Sequence, residues 1–207
     1  MGDFMIAFYF IVGYLFGNFQ TAYLMSRYLK HEDIREKGHG NSGASNAVVN
    51  YGWKFGFVVA LVDILKVYVA VKLSKYLMGV YLPSSEYMLH LCGLGVFLGH
   101  SHPFYMGFRG GKGTACIVGI LLSMGTVPLI AGVFGISIVT FLTDYIVIGT
   151  FFLNIIFIFF TVNLGYGNVS VAISVLIFSI SLIYHLKNYR RILNGTEKRL
   201  SGSLKKK

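Results

Sequence analysis

Apolar stretches recur along this chain at roughly 4–26, 55–80, 87–102, 113–143, 145–163 and 167–185. A membrane-crossing helix needs about 20 mostly apolar residues, so the pattern predicts an all-α, polytopic integral membrane protein. Only 13% of the residues are charged, against about 25% in soluble domains, too few to cover the surface of a water-soluble protein of this size. The fourth stretch, at ~1.5 Å per residue, would be about 46 Å long as one helix, half as long again as the ~30 Å hydrocarbon core. It contains Gly125 and Pro128 and is expected to break there, which gives about seven transmembrane helices.

Charge sets the expected orientation. Fourteen of the 18 basic residues fall in three segments: Arg27 to Lys37, Arg109 with Lys112, and Lys187 to Lys207. With seven spans all three lie on one side, and the positive-inside rule makes that side the cytoplasm. The N-terminus is then outside and the C-terminus cytoplasmic. The opposite connections, around Leu82 to Glu86 and Asn163 to Asn168, hold no Lys or Arg. Lys72 and Lys75 are exceptions near the outer end of the second span, where long amine side chains reach the interface. The chain starts without a basic n-region or a small-residue cleavage pattern, so 4–26 reads as an uncleaved span. No polar stretch is long enough for a second core, so 1–207 reads as a single membrane-embedded domain with a basic cytoplasmic tail at about 187–207. The net charge of +10 reads as topology and contact with anionic headgroups of the lipid bilayer, not as nucleic-acid binding. Cys92 and Cys116 both sit in apolar runs and suggest neither a disulfide nor a metal site.

The three basic segments carry the chemistry. In the first, Gly38, Gly40 and Gly43 alternate with Asn41, Ser42, Ser45 and Asn46, a pattern that lets backbone approach a ligand closely among neutral donors. In the second, His100 and His102 precede Arg109-Gly110-Gly111-Lys112-Gly113-Thr114, which runs into an apolar helix. Glycine-freed N–H groups, a helix N-terminus and two cations make an anion cradle by composition. A Walker A loop is excluded at two positions, because Met106 stands at its first glycine and Gly113 follows the lysine. Two histidines without a nearby acid make a poor metal site, so no metal is expected. In the third segment His185, Asn188 and Arg191 share a face if the last helix runs on past the membrane. Asp63 and Lys66, at i and i+3 within the second span, are expected to pair, since charges at that depth are costly alone.

Together these segments resemble the bacterial acyl-phosphate:glycerol-3-phosphate acyltransferase family of the PlsY type. Its Gly-Ser-Gly-Asn-x-Gly-Ala-Thr-Asn loop is matched by Gly38 to Asn46. Its Gly-His-x-x-Pro … Lys-Gly-Gly-Lys-Gly loop is matched by Gly99 to Gly113, with Arg109 for the first lysine. Its His-Arg-x-Asn … Gly-Thr-Glu segment is matched by His185, Asn188 and Gly195 to Glu197. The resemblance implies an enzyme of the bacterial inner membrane whose cytoplasmic site moves a fatty acyl group from acyl phosphate to the first hydroxyl of glycerol-3-phosphate, without a cofactor. By that resemblance Lys112, His185 and Asn188 are the catalytic candidates. Gly40, Asn41, Gly43, Ser45, Asn46, His100, Arg109, Gly110, Gly111, Gly113, Thr114, Arg191 and Glu197 are the substrate-binding ones.

Four departures from the family pattern bear on the reading. His39 stands where the loop has serine, Val49 where an arginine is expected, and Asn18 and Gln20 replace the usual serine and proline. The resemblance assigns the lost serine and arginine to the acceptor's phosphate; a protonated His39 would restore part of that charge. A relative with a different acceptor, or a non-catalytic acyl-phosphate-binding membrane protein, are the competing readings, and oligomeric state is left open.

Overall fold

The computed structural model describes residues 2–78 and 86–204. The connection expected around Leu82, and Lys205 to Lys207, lie outside the described residues. The described chain is helical: α1 (Gly2–Asn18), α2 (Thr21–Lys30), α3 (Ala44–Tyr51), α4 (Trp53–Met78), α5 (Glu86–Ser101), α6 (Thr114–Met124), α7 (Thr126–Thr143), α8 (Ile146–Asn163), α9 (Gly167–Leu193) and the short α10 (Leu200–Leu204). Among the described residues, Asp3–Lys30, Thr126–Thr143, Ile146–Asn163 and Gly167–Leu193 are long and apolar enough to cross a membrane.

The expected break in the fourth stretch falls at Gly125, whose φ of +146° ends α6 and starts α7. One expectation is corrected. The first stretch is not one helix, because the chain leaves helical geometry at Phe19 and Gln20 and resumes as α2. In the basic segment from residue 187, α9 continues to Leu193, and α10 docks on the turn between α7 and α8. There Asp144 accepts hydrogen bonds through its backbone oxygen from the Leu200 amide (2.9 Å), through Oδ1 from the Ser201 amide (2.8 Å) and through Oδ2 from the Ser201 hydroxyl (2.7 Å).

Helices α1 and α5 lie in backbone contact. A Cβ added at Gly13 would stand 2.2 Å from the Cys92 carbonyl oxygen, and one at Gly99 would stand 2.2 Å from that of Tyr14. With Gly17 and Gly95 these form two small-xxx-small ridges, which within a membrane gain their stability from close packing rather than from exclusion of water. Around this pair the core gathers Phe97, Ile117, Ile120, Leu121, Leu153, Phe157 and Ile177, all fully buried. A second cluster of Ala22, Ile34, Ala47 and Val59 holds α2 and α3 against α4, and thereby fixes the loop between them.

Candidate active site

The first glycine loop is held from inside by Asn46. Its Nδ2 donates to the carbonyls of Ile34 (3.1 Å), Lys37 (3.1 Å) and Asn41 (2.7 Å), while Oδ1 accepts from the His39 amide (2.7 Å). A buried amide so fully used shapes the loop and has little left for a ligand. Ser42 ties this loop to the second one: its amide donates to the Gly110 carbonyl (3.3 Å) and its hydroxyl to Gln20 Oε1 (2.5 Å). Gln20 Nε2 in turn donates to the His100 carbonyl (2.9 Å), and Asn18 Oδ1 accepts from the Phe104 amide (2.9 Å). The two departures in α1–α2 thus clamp the break in the first helix onto the second loop.

That second loop folds over His100. The Gly111 amide donates to the His100 carbonyl (2.9 Å), and a Cβ at Gly111 would lie 2.0 Å from His100 Nε2. Gly113 has φ +83° and a Cβ there would meet the Phe97 ring at 2.1 Å, so conformation and space both require glycine. Above the loop lies a cavity of about 200 Å³. Its polar wall comes from all three segments: Asn41, Gly43 and Ser45; His100, Lys112, Gly113 and Thr114; His185 and Asn188. Its other end is apolar, formed by Ala115, Val118, Ile136, Ile146 and Val147 of α6, α7 and α8.

Lys112 donates to Asn188 Oδ1. Asn188 Nδ2 donates to Glu197 Oε1 (2.6 Å), and Glu197 Oε2 accepts from Arg191 Nε (2.5 Å). Both atoms of the Asn188 amide are therefore oriented, and Glu197 is neutralised on its far side. Burial, and then the Arg191 charge, push Lys112 down to about 8, poised near neutral pH as a cation that gains by meeting an anion. His39, lining the same cavity, is pushed down to about 4 chiefly by burial. Burial thus works against the protonated form that a charge-replacing role for His39 needs.

Two histidines of the cavity have defined tautomers. His185 Nδ1 lies 2.8 Å from the Ser181 carbonyl, which can only accept, so Nδ1 carries the proton and Nε2 is left as an acceptor. His100 Nδ1 lies 3.0 Å from the Lys66 ammonium, which can only donate, while the Asp63 carboxylate at 3.9 Å is beyond hydrogen-bond reach, so the contact made assigns the proton to Nε2. The expected pair of Lys66 and Asp63 is present at 2.8 Å, buried, and Asp63 also lines the cavity.

Some sequence candidates stand apart from this cavity. Arg109 is exposed and is not among the residues that line it. Arg191 acts on Glu197, while Gly40, Gly110 and Gly111 shape the loops behind the wall. Glu197 lines a smaller neighbouring pocket of about 60 Å³ with His39, Ser45, Val49 and Lys198. Sequence reasoning missed Thr150, whose hydroxyl meets that of Thr114 at 3.2 Å, because a threonine within an apolar helix carries no local signal. It also missed Lys198 beside Val49. Among the described residues, no group of three or more His, Cys, Asp or Glu side chains could hold a metal ion.

Residues 7–195 match the model of the glycerol-3-phosphate acyltransferase family. Glycerol-3-phosphate acyltransferase 1 of Oceanobacillus iheyensis is 35% identical over 200 residues, covering 95% of this chain and 96% of that protein. A glycerol-3-phosphate acyltransferase of Thermoanaerobacter sp. is 33% identical over 191 residues, covering 92% and 93%. Among solved structures, PlsY, an integral membrane glycerol 3-phosphate acyltransferase, matches in its glycerol 3-phosphate form with a TM-score of 0.83 and 26% identity over 94% of this chain and 95% of that one. Its lysophosphatidic acid form matches with a TM-score of 0.81 and 25% identity, covering 95% and 96%.

Proposed function

The chain belongs to the glycerol-3-phosphate acyltransferase family, and we propose that it transfers a fatty acyl group from acyl phosphate to the sn-1 hydroxyl of glycerol-3-phosphate, giving lysophosphatidic acid for phospholipid synthesis. The observation that carries the reading is one cavity in which Lys112, Gly113 and Thr114 face His185 and Asn188, with an apolar end between α6, α7 and α8.

An acyl phosphate is a mixed anhydride, so the protein needs no nucleophile of its own. The hydroxyl oxygen of the acceptor attacks the acyl carbon, the bond from that carbon to the phosphate oxygen breaks, and inorganic phosphate leaves with the electron pair. The Gly110 and Gly111 amides are spent on the Ser101 and His100 carbonyls, so Lys112 and the N-terminal turn of α6 stabilise the charge on the leaving phosphate, an electrostatic role worth several kcal/mol when the groups are fixed beforehand. His185 Nε2, an acceptor because Nδ1–H is held by Ser181, takes the proton of the attacking hydroxyl. Thr114 and Asn41 orient the reacting groups, and the apolar end takes the acyl chain from the lipid side.

The smaller pocket supports a place for the acceptor's phosphate. Val49 supplies no charge there and His39 is neutral, which leaves Lys198 as the pocket's cation. This reading keeps glycerol-3-phosphate as the acceptor despite the missing arginine. The basic loops gathered around the cavity support a cytoplasmic site in the bacterial inner membrane, seven spans, an outside N-terminus, and one membrane-embedded domain over residues 1–207.

The test is phosphate release from palmitoyl phosphate by the detergent-purified protein, with and without glycerol-3-phosphate, beside Lys112→Ala. Acceptor-dependent release lost in the variant is expected. Release that needs another hydroxyl compound would mean a different acceptor, and failure with every polyol phosphate would overturn the enzyme reading.

A further inference from the structure

The break between α1 and α2 frees backbone carbonyls inside the bundle, and Lys66 of α4 reaches them. Its Nζ donates to the Phe19 carbonyl (2.8 Å), to Asp63 Oδ1 (2.8 Å) and towards His100 Nδ1 (3.0 Å), with the Gly17 carbonyl at 3.4 Å. Asp63 Oδ1 is itself fixed by the Thr21 hydroxyl (3.0 Å). Lys66, Asp63 and His100 are all buried. An ammonium has three N–H donors and no lone pair. Two of them are committed at 2.8 Å to oxygens that only accept; of the two remaining neighbours the imidazole nitrogen at 3.0 Å is nearer than the Gly17 carbonyl at 3.4 Å and takes the third.

We propose that Lys66 is a positioning residue that locks His100 in its Nε2–H tautomer, making the imidazole a fixed neutral donor to the phosphate of the acyl donor. The inference rests on the reading of the second glycine loop as the donor-phosphate cradle. Nε2 lies against that loop: the position of a Gly111 Cβ is 2.0 Å away, and His100 lines the cavity. The Gly111 amide bond to the His100 carbonyl keeps the loop and ring in register. A histidine free to exchange its proton between nitrogens would present a lone pair to the phosphate for part of the time, and a lone pair facing an anion repels it. The internal ion pair thus serves the cradle as well as helix packing, and the helix break supplies one of the two oxygens that aim Lys66.

The experiment is a long-range ¹H–¹⁵N correlation on the full chain in detergent with ¹⁵N-labelled histidine, the His100 signals assigned by their loss in His100→Gln. The wild type is expected to show the Nε2–H pattern, and adding palmitoyl phosphonate, a non-transferable donor analogue, is expected to move the Nε2–H proton downfield. An Nδ1–H pattern, or no response to the phosphonate, overturns the proposal whether or not the protein turns over. Failure of acyl transfer with both spectral signatures present would instead count against the reaction, and would leave the assignment of His100 standing. Lys66→Met is expected to lose the pure Nε2–H pattern and to raise KM for palmitoyl phosphate roughly 10- to 100-fold, the range of one hydrogen bond to a charged group. Because a glutamine places an amide N–H near the Nε2 position, Lys66→Met made on His100→Gln should raise that KM no further. An equal rise in both backgrounds would assign Lys66 a packing role only.

Discussion

His100 and His185 line one cavity in opposite tautomers, the first with its proton on Nε2 and the second with its proton on Nδ1. The difference comes from what each Nδ1 faces: an ammonium that only donates, or a carbonyl that only accepts. One imidazole therefore offers a donor to the site and the other an acceptor, and each chemical role is set by a partner outside the cavity.

Replacing Lys112 by alanine removes the cation of the cradle and the donor that orients Asn188. Turnover with palmitoyl phosphate should fall by roughly 100- to 1000-fold, the range for loss of one preorganised electrostatic group, with helical content by circular dichroism unchanged. The pH profile follows from its position near 8. Activity should decline as pH rises through about 8, while the ammonium is lost. Stability runs the other way: between about 8 and 10.5 the unfolded chain binds more protons than the folded one, so stability rises with pH across that window.

His39 is buried and neutral near pH 7. Its C2 proton should not shift in NMR spectra between pH about 5.5 and 8, the interval in which an ordinary histidine near 6.5 titrates. A midpoint in that interval would return His39 to the role of a partial cation.

Val49→Arg should lower KM for glycerol-3-phosphate, and Lys198→Met should raise it by roughly 10-fold, the size of one charge-assisted hydrogen bond. Since both side chains face the smaller pocket, Val49→Arg should also rescue Lys198→Met. Steady-state kinetics with varied acceptor at saturating acyl phosphate decides it.

Asp144→Ala removes both side-chain bonds to Ser201. Leu200, next to that latch, lines the smaller pocket together with Lys198. KM for glycerol-3-phosphate is expected to rise roughly fivefold, as for loss of one net hydrogen bond, while KM for palmitoyl phosphate stays the same.

Ile136 stands at the apolar end of the main cavity. Ile136→Trp should shift preference towards shorter acyl phosphates, with each methylene that no longer fits costing ~0.8 kcal/mol, about fourfold in kcat/KM. Competition between acyl phosphates of graded length measures the shift.

The elements that were legible in the sequence are those with a local cause. Gly125 followed by Pro128 announces the break between α6 and α7. The face shared by His185, Asn188 and Arg191 presupposed a helix running on past the membrane, which α9 supplies to Leu193, and the glycine loops marked two of the segments that wall the cavity. The break at Phe19 and Gln20 was hidden, because both lie in an otherwise apolar run and the groups that compensate it, Lys66 and the His100 carbonyl, are 47 to 80 residues away. For the same reason Asn46 read as a ligand contact: its asparagine chemistry suits a ligand, and only the folded loop reveals that its amide is already used. Arg109 followed the charge rule and still points to solvent, since a basic residue in an anion loop carries no sign of which way it faces.

The latch between Asp144 and Ser201 joins positions 57 residues apart in the chain, so the stretch that carries Glu197 and Lys198 is moored at both ends, by α9 on one side and by the turn between α7 and α8 on the other. The smaller pocket therefore takes part of its shape from a contact made outside its own lining, and a change in the α7–α8 turn is transmitted to it along the tethered segment.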